Sequence, residues 1–331
     1  MTAVDFPAPA LLALAIDLGG TTFSVGLFEQ EGRCLASCER ATPTDLDGTV
    51  AIAAVAAAVS ELLGPRSPSA VLIGVGLGVP GWVDPASGTA LFCPNLHSLD
   101  GLPVARLLSE ALEGLPVFLA NDAACATLGE LRYGAGRGVQ NLLMLTLGTG
   151  VGGGVALDGQ VVRGPRQLRG EIGHMTVAPQ GRPCGCGNTG CLEAMVAKQA
   201  LIEMMRERLQ AGRASLVEEL TDGDDDLITP ELVAQAAQRG DGPAGEVFAE
   251  AAHYLGIAIG NAMLLLDPDL VVVGGGIAEA GEVLFGPLRR VIQHRACFNR
   301  FDPVRVVRAE LGPAAGLHGA ATLVWESGER T

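Results

Sequence analysis

A chain of 331 residues is long for one core and suits two α/β lobes. Hydrophobic residues make up 48% and aromatics only 4%, so the cores must be built from Val, Leu, Ile and Ala, as in parallel sheets flanked by Ala-rich helices. The formal net charge of −15 argues against a nucleic-acid partner, which needs clustered Lys and Arg, but not against a small phosphate ligand held by backbone N–H groups.

The opening "MTAVDFPAPA" lacks a positively charged start, and no apolar run reaches about 18 residues without Gly, polar or charged interruption. A cytoplasmic protein with no membrane partner is expected. Cys34, Cys38, Cys93, Cys125 and Cys297 sit among apolar neighbours, as buried free thiols do. In chain order, "LLALAIDLGG" reads as a buried strand ending in a glycine turn, and residues 21–32 and 33–42 as two antiparallel strands. Residues 47–64 form an Ala-rich helix closed by glycine, and 70–81 the next buried strand. "LPVARLLSEALEG" carries a helix, and "LPVFLAND" a strand ending on Asn121-Asp122.

Residues 141–160, "NLLMLTLGTGVGGGVALDGQ", begin a second half in the same way: strand, Gly/Thr turn, strand, Gly turn. The likeness to "IDLGGTTFSVGLFEQEG" suggests an internal duplication, with two unrelated hairpins as the alternative. The acidic "EELTDGDDDL" (218–227) reads as a solvated loop. Thr229 is placed as N-cap with Pro230 at the first helical position. A buried helix leads to the strand "VVVGGGI", and a small-residue helix closes the chain.

Three apparent strand ends carry glycine-rich turns: Asp17-Leu18-Gly19-Gly20-Thr21-Thr22, Gly148-Thr149-Gly150 and Gly274-Gly275-Gly276. Glycine lets N–H groups converge on phosphate oxygens, threonine hydroxyls add donors, and Asp17 can hold a metal ion through water. Any one such turn is as readily explained by sterics; three together point to a nucleotide. None is a P-loop or a dinucleotide fingerprint. Asn121-Asp122, read by spacing alone, is a helix cap.

The segment 170–194, "GEIGHMTVAPQGRPCGCGNTGCLEA", holds His174, Cys184, Cys186 and Cys191 in the spacing H-x9-C-x-C-x4-C. Three thiolates and an imidazole make a full tetrahedral Zn2+ set with no open position, hence a structural metal. Gly185, Gly187 and Gly190 are expected to let so short a loop close. A redox pair is disfavoured because the spacing is not Cys-x-x-Cys, and ordinary buried thiols because the loop has no apolar pattern. Glu171 and Glu193, on spacing alone, read as solvent-facing.

The runs "DLGGTTFSVGLF", "GVGLGVPGWVD", "PNL", "LANDAACATLGE", "LTLGTGVGGGV", "GEIGH", "CGCGNTGCLE" and "LVVVGGGI" resemble, in order from about residue 11 to 325, successive motifs of the ROK family of repressors and sugar kinases. The resemblance implies an α/β, two-lobed actin-like ATPase fold of ribonuclease-H-like topology, with ATP and sugar in the cleft between the lobes. The lobes are expected at 1–120, completed by a C-terminal helix at 316–331, and at 121–315, carrying the zinc loop 174–191. It makes Asp122 the general base of an ATP- and Mg2+-dependent hexose kinase, glucose giving glucose 6-phosphate. Asp122, Asn121, Asn95 and the backbone near Gly81 then hold sugar hydroxyls, as do Glu171, His174 and Glu193, with His174 giving its other ring nitrogen to zinc. Other family kinases take N-acetylmannosamine, N-acetylglucosamine, fructose, mannose or allose. The repressors carry a DNA-binding module, for which there is no room ahead of Asp17, and a catalytically silent sugar sensor would not need Asp122 with all three turns. Departures stand at Thr22, where many members have Lys, at Leu99, where many have Trp, and in "AMVAKQAL"; these positions are expected to flank nucleotide and sugar. Family members are commonly homodimers or homotetramers.

Overall fold

The structure is a computed structural model that describes residues 10–43, 47–64, 70–164, 168–295 and 304–328. Cys297, the first nine residues and 329–331 lie outside them. The chain divides into two compact units.

Unit 1 starts with β1 (Ala10–Leu18), β2 (Thr22–Phe28) and β3 (Cys34–Ala41), an antiparallel meander. Helix α1 (Gly48–Leu63) begins at Asp47, whose carboxylate accepts the Thr49 N–H at 3.0 Å, and ends at Gly64, with φ 49°. It buries Ala51, Ile52, Val55 and Val59 in the apolar core of unit 1. Strand β4 (Ala70–Val79) runs parallel to β1. A short hairpin, β5 (Trp82–Asp84) and β6 (Thr89–Phe92), and helix α2 (Val104–Ala111) lead to β7 (Val117–Asn121), parallel to β4. The sheet order is β3-β2-β1-β4-β7. Helix α3 (Asp122–Tyr133) follows directly.

Unit 2 repeats the plan. β8 (Leu142–Leu147), β9 (Val151–Leu157) and β10 (Gln160–Val161) form the meander, and β11 (Leu270–Gly274) and β12 (Arg305–Arg308) add parallel to β8 and to one another. The order β10-β9-β8-β11-β12 is that of unit 1, strand for strand and sense for sense. Two unrelated hairpins would have no reason to share it, so the duplication read from two glycine turns extends to the whole sheet.

Between β10 and β12 lie α4 (Leu192–Val196), α5 (Lys198–Gln210), α6 (Leu216–Leu220), α7 (Pro230–Gln238), α8 (Gly242–Leu266) and α9 (Glu282–Arg295). The acidic stretch is mostly exposed, as expected of it, but is not all loop. The Ser215 hydroxyl accepts the Val217 N–H and caps α6 through Leu220, and the Asp224 carboxylate accepts the Asp226 N–H of a 3-10 turn. The Thr229 hydroxyl caps α7 by accepting the Leu232 N–H at 3.3 Å. Helix α8 is long and apolar enough, by length and composition, to cross a membrane. Its Val247, Phe248, Ala251, Leu255 and Ile259 lie in the core of unit 2 instead.

The last helix, α10 (Ala315–Gly328), belongs to unit 1 and packs on β1, β4 and α3. The approach is close because glycines line it: a Cβ on Gly76 of β4 would strike the Ala320 carbonyl, and one on Gly319 the Cys125 carbonyl of α3. The first division falls after Gly138 rather than after residue 120, since α3 packs along α10 and against β7 and β4. Arg163–Arg169 also cluster with unit 1, so Asn121 and Asp122 belong to the first unit and do not open the second.

Candidate active site and metal centre

In α/β sheets ligands sit beyond the C-terminal ends of parallel strands, and unit 1 places its chemistry there. Asp17 is paired with Gly78, and Gly78 with Ala120, so Asp17 and Asn121-Asp122 come to one edge of the sheet. Asn121 does cap α3: its Oδ1 accepts the Ala124 N–H at 3.1 Å. Its Nδ2 meanwhile donates to the Gly81 carbonyl at 2.9 Å, joining two of the residues assigned to sugar binding. Asp122 takes the first helical position, where the Ala123 N–H donates to Oδ1 at 2.7 Å. The cap is thus Asn121, and Asp122 is the residue beside it.

Burial pushes the Asp122 carboxyl above its ordinary range, although the Ala123 N–H and the Asn121 side chain oppose the shift. Asp17 is pushed up to about 7, by burial first and by the Asp122 charge second. Among the described residues no hydrogen-bond donor reaches its carboxylate. Two like charges in a poorly solvated pair are the arrangement a cation relieves. The thiol of Cys125 stands beside them: a Cβ built on Gly78 would lie 3.3 Å from its sulfur and 3.6 Å from Asp17 Oδ1. Burial and both carboxylates hold that thiol well above the usual range, which makes it a poor nucleophile.

The turn after β1 is closed by the Gly19 N–H donating to the Thr22 carbonyl at 2.9 Å, and the Thr42 hydroxyl donates to the Gly19 carbonyl at 2.8 Å. Thr21 and Thr22 are exposed. Gly20 is required by close approach, because a Cβ there would lie 2.8 Å from Asn95 Cβ. The "PNL" asparagine therefore rests on this turn. Leu99, by contrast, is wholly buried in the unit 1 core.

In unit 2, Gly148-Thr149-Gly150 connects β8 to β9, with the Gly148 N–H donating to the Gly150 carbonyl at 2.9 Å. Gly275 follows β11 with φ 85° and packs on the backbone of Leu147, so the second and third glycine turns are brought together. Gly276 is open. The junction of α4 and α5 joins them, for the Lys198 N–H donates to the Gly148 carbonyl at 2.9 Å.

The four metal-ligand atoms of His174, Cys184, Cys186 and Cys191 all lie within 4.8 Å of one another. Zn–S bonds of about 2.3 Å set tetrahedral S–S edges near 3.8 Å. The Cys186–Cys191 sulfurs are 3.7 Å apart, and Cys184 Sγ is 3.8 Å from His174 Nδ1. The donor set and its spacing fit zinc. Without an ion, burial pushes Cys184 up to about 12, while the Asn188 N–H holds Cys186 below its ordinary range; a dication would draw the protons from all three.

The loop is pinned by Cys184 N–H to Asn188 carbonyl (2.8 Å) and Gly190 N–H to Arg182 carbonyl (2.8 Å). Gly187 and Gly190 carry φ of 90° and 70°, as the tight path demands. Gly185 has neither positive φ nor a crowded Cβ, so it is not needed for closure. Asn188, unmarked in the sequence reading, donates to Cys191 Sγ at 3.4 Å and to the Thr176 hydroxyl at 3.0 Å. Its place inside the ligand run was the available signal, since thiolates need N–H donors.

With Nδ1 toward the sulfurs, His174 turns Nε2 outward, 3.9 Å from Glu171 Oε2. The two ring nitrogens thus face different neighbours. Glu193 faces inward rather than to solvent: its Oε2 accepts the Val151 N–H at 3.0 Å, and its Oε1 is 3.7 Å from Cys184 Sγ.

Sheet order and the placement of these turns define an actin-like ATPase fold built by duplication. The chain belongs to the ROK family, whose profile matches residues 13–327. It is 36% identical over 319 residues to a glucokinase of Thermotoga maritima, covering 96% of this chain and 98% of that one. A ROK-family glucokinase from Streptomyces griseus, solved with glucose and AMPPNP, superposes with TM-score 0.83 at 34% identity, covering 95% of this chain and 99% of that one. A ROK hexokinase from Thermus thermophilus gives 0.76 at 34%, covering 97% and 100%.

Proposed function

We propose that the protein transfers the γ-phosphoryl group of ATP to a hexose hydroxyl, with glucose as acceptor and glucose 6-phosphate as product. The observation that carries this reading is Asp122 at the C-terminal edge of unit 1, its carboxyl raised by burial, in a chain similar over 96% of its length to a glucokinase. Phosphoryl transfer passes through a loose transition state and asks the protein mainly for positioning and one proton acceptor. Ala123 N–H fixes Oδ1 of Asp122, which leaves Oδ2 to take the hydroxyl proton as the oxygen attacks phosphorus. A raised pKa brings the base closer to the working pH, where general-base catalysis is most effective.

The paired carboxylates of Asp17 and Asp122 fit a divalent cation near Asp17, and Mg2+ bound there with ATP would neutralise charge on the phosphates. The Gly148–Gly150 and Gly275 turns of unit 2 supply backbone N–H groups suited to phosphate oxygens. His174, Cys184, Cys186 and Cys191 hold zinc, whose contribution is structural: it fixes the His174 tautomer and leaves Nε2, beside Glu171, to meet a sugar hydroxyl.

The test is a coupled ADP-release assay with glucose, N-acetylmannosamine, N-acetylglucosamine, fructose, mannose and allose. Glucose-dependent ADP release with the highest kcat/KM supports the reading. A higher kcat/KM for another sugar reassigns the acceptor, and no sugar-dependent release from any of the six sinks the kinase.

A further inference from the structure

We infer that Glu193 is a positioning residue that ties the metal loop to the phosphate turn, so that zinc loading sets the shape of the Gly148–Gly150 turn and with it nucleotide affinity. This rests on the kinase reading for what the turn binds, but the tie itself lies wholly within unit 2.

One carboxylate reaches both features. Oε2 of Glu193 accepts the N–H of Val151, the first residue of β9 and the one that closes the turn. The carboxylate lies close over Gly150, where a Cβ would be 2.5 Å from Glu193 Oε2 and would displace it. Oε1 of Glu193 is 3.7 Å from Cys184 Sγ, a metal ligand. The residue is fixed from behind as well: its carbonyl accepts the Ala197 N–H at 3.0 Å, and the next residue, Lys198, donates its N–H to the Gly148 carbonyl. Thr149, Cys184, Gly185, Glu193 and Ala197 line one cavity of about 360 Å3, so the turn and the metal loop share a wall.

Zinc held by Cys184 and Cys191 would anchor both sides of this contact, for Cys191 directly precedes α4, which carries Glu193, and Cys184 Sγ stands 3.7 Å from Oε1. That fixes where the carboxylate can stand, and the carboxylate fixes the Val151 N–H. A hydrogen bond to a charged group is strong enough that losing it should change a local opening equilibrium about tenfold or more. A group that served the sugar alone would leave the turn indifferent to the metal.

The experiment compares the zinc-loaded parent, the same protein stripped by a chelator, Glu193→Ala and Glu193→Gln, each checked for zinc content. Hydrogen exchange at the Val151 amide should be about tenfold faster in the stripped protein and in E193A. E193Q, which keeps a carbonyl oxygen, should remain near the parent. ADP affinity without sugar, by calorimetry, should fall by about tenfold in the same two samples and recover in E193Q. E193Q should nevertheless raise the KM for glucose, because an amide replaces the carboxylate toward the hydroxyl. Unchanged Val151 protection after zinc removal overturns the tie, as does an E193A protein that binds ADP like the parent. A parent that binds no ADP defeats the kinase reading instead, and Val151 exchange then decides the tie alone.

Discussion

The two sheets share one order and one set of strand directions, yet their C-terminal edges carry different chemistry. In unit 1 the register runs Asp17–Gly78–Ala120, with Asn121-Asp122 next. In unit 2 the matching row is Thr146–Gly274, with Ala309 beside Gly274, and Glu310-Leu311 next. The glycine of the second strand end is kept in both, Gly78 and Gly274, and a positive-φ glycine follows each at a different distance, Gly81 and Gly275. Only unit 1 has the acid pair; at the same two places unit 2 has Thr146 and Leu311. Duplication supplied two glycine turns on equal scaffolds, and a few strand-end substitutions left the acid pair on one unit; under the proposed function, proton transfer would fall to that unit and anion binding to the other. A sheet can tolerate that divergence because strand ends lie outside the packed core.

The largest test of this division is Asp122→Asn, which keeps shape and hydrogen bonding but removes the base. Its kcat should fall by about 10³–10⁴ while glucose binding persists, measured by ADP release and calorimetry. A parent-like rate would break the asymmetry between the units. Next comes the metal. Cys186→Ala, or chelation, should weaken sugar binding by about 10–100-fold, more than it weakens ADP, because His174 loses its aim. Sugar affinity that survives metal removal would reduce the loop to a scaffold.

The third effect concerns Asp17. Its pKa lies near 7 in the folded chain against 3.8 as reference, so the folded state holds a proton that the unfolded state has lost between those values. Stability from this group is therefore present at low pH and declines as pH rises through 7. Asp17→Asn should raise stability above pH 7 by on the order of 2 kcal/mol, allowing for partial solvent screening, with little gain at pH 4. Equal gains at both pH values would remove the strained carboxylate pair. The smallest effect is expected away from the site, where Thr229→Ala should cost about 1 kcal/mol by thermal unfolding and leave kcat unchanged.

Much of this architecture was readable from residues alone. The meanders announced themselves by apolar runs ending in glycine turns, and the metal ligands by four soft donors in eighteen residues with no apolar pattern around them. Thr229-Pro230 and Asp47 marked helix starts through local hydrogen bonds, which spacing encodes well. What was not legible depends on tertiary approach. Leu99 fills the unit 1 core, and Gly185 sits in the metal loop without serving its closure. The inward turn of Glu193 toward Val151 links residues 42 apart, and no local pattern announces such a contact. The acidic 218–227 stretch is mostly exposed, as its charge suggests, but charge does not announce the short helix and 3-10 turn that Ser215 and Asp224 cap.

The close seat of α10 on Gly76 and against α3 has a consequence for the order of synthesis. The strands of unit 1 emerge first, but the helix that covers them is among the last segments made, after Gly170–Gly312 of unit 2. At about 5–20 residues per second, the ribosome needs roughly 10–35 s to travel from the end of α3 to α10. Unit 2 is made during that interval and has its last segment only at Gly312, three residues before α10 begins, while β1 and β4 wait with an uncovered apolar face. The uncovered face of the nascent first unit is thus the stretch that chaperones are expected to meet, and the two units complete their sequences almost together.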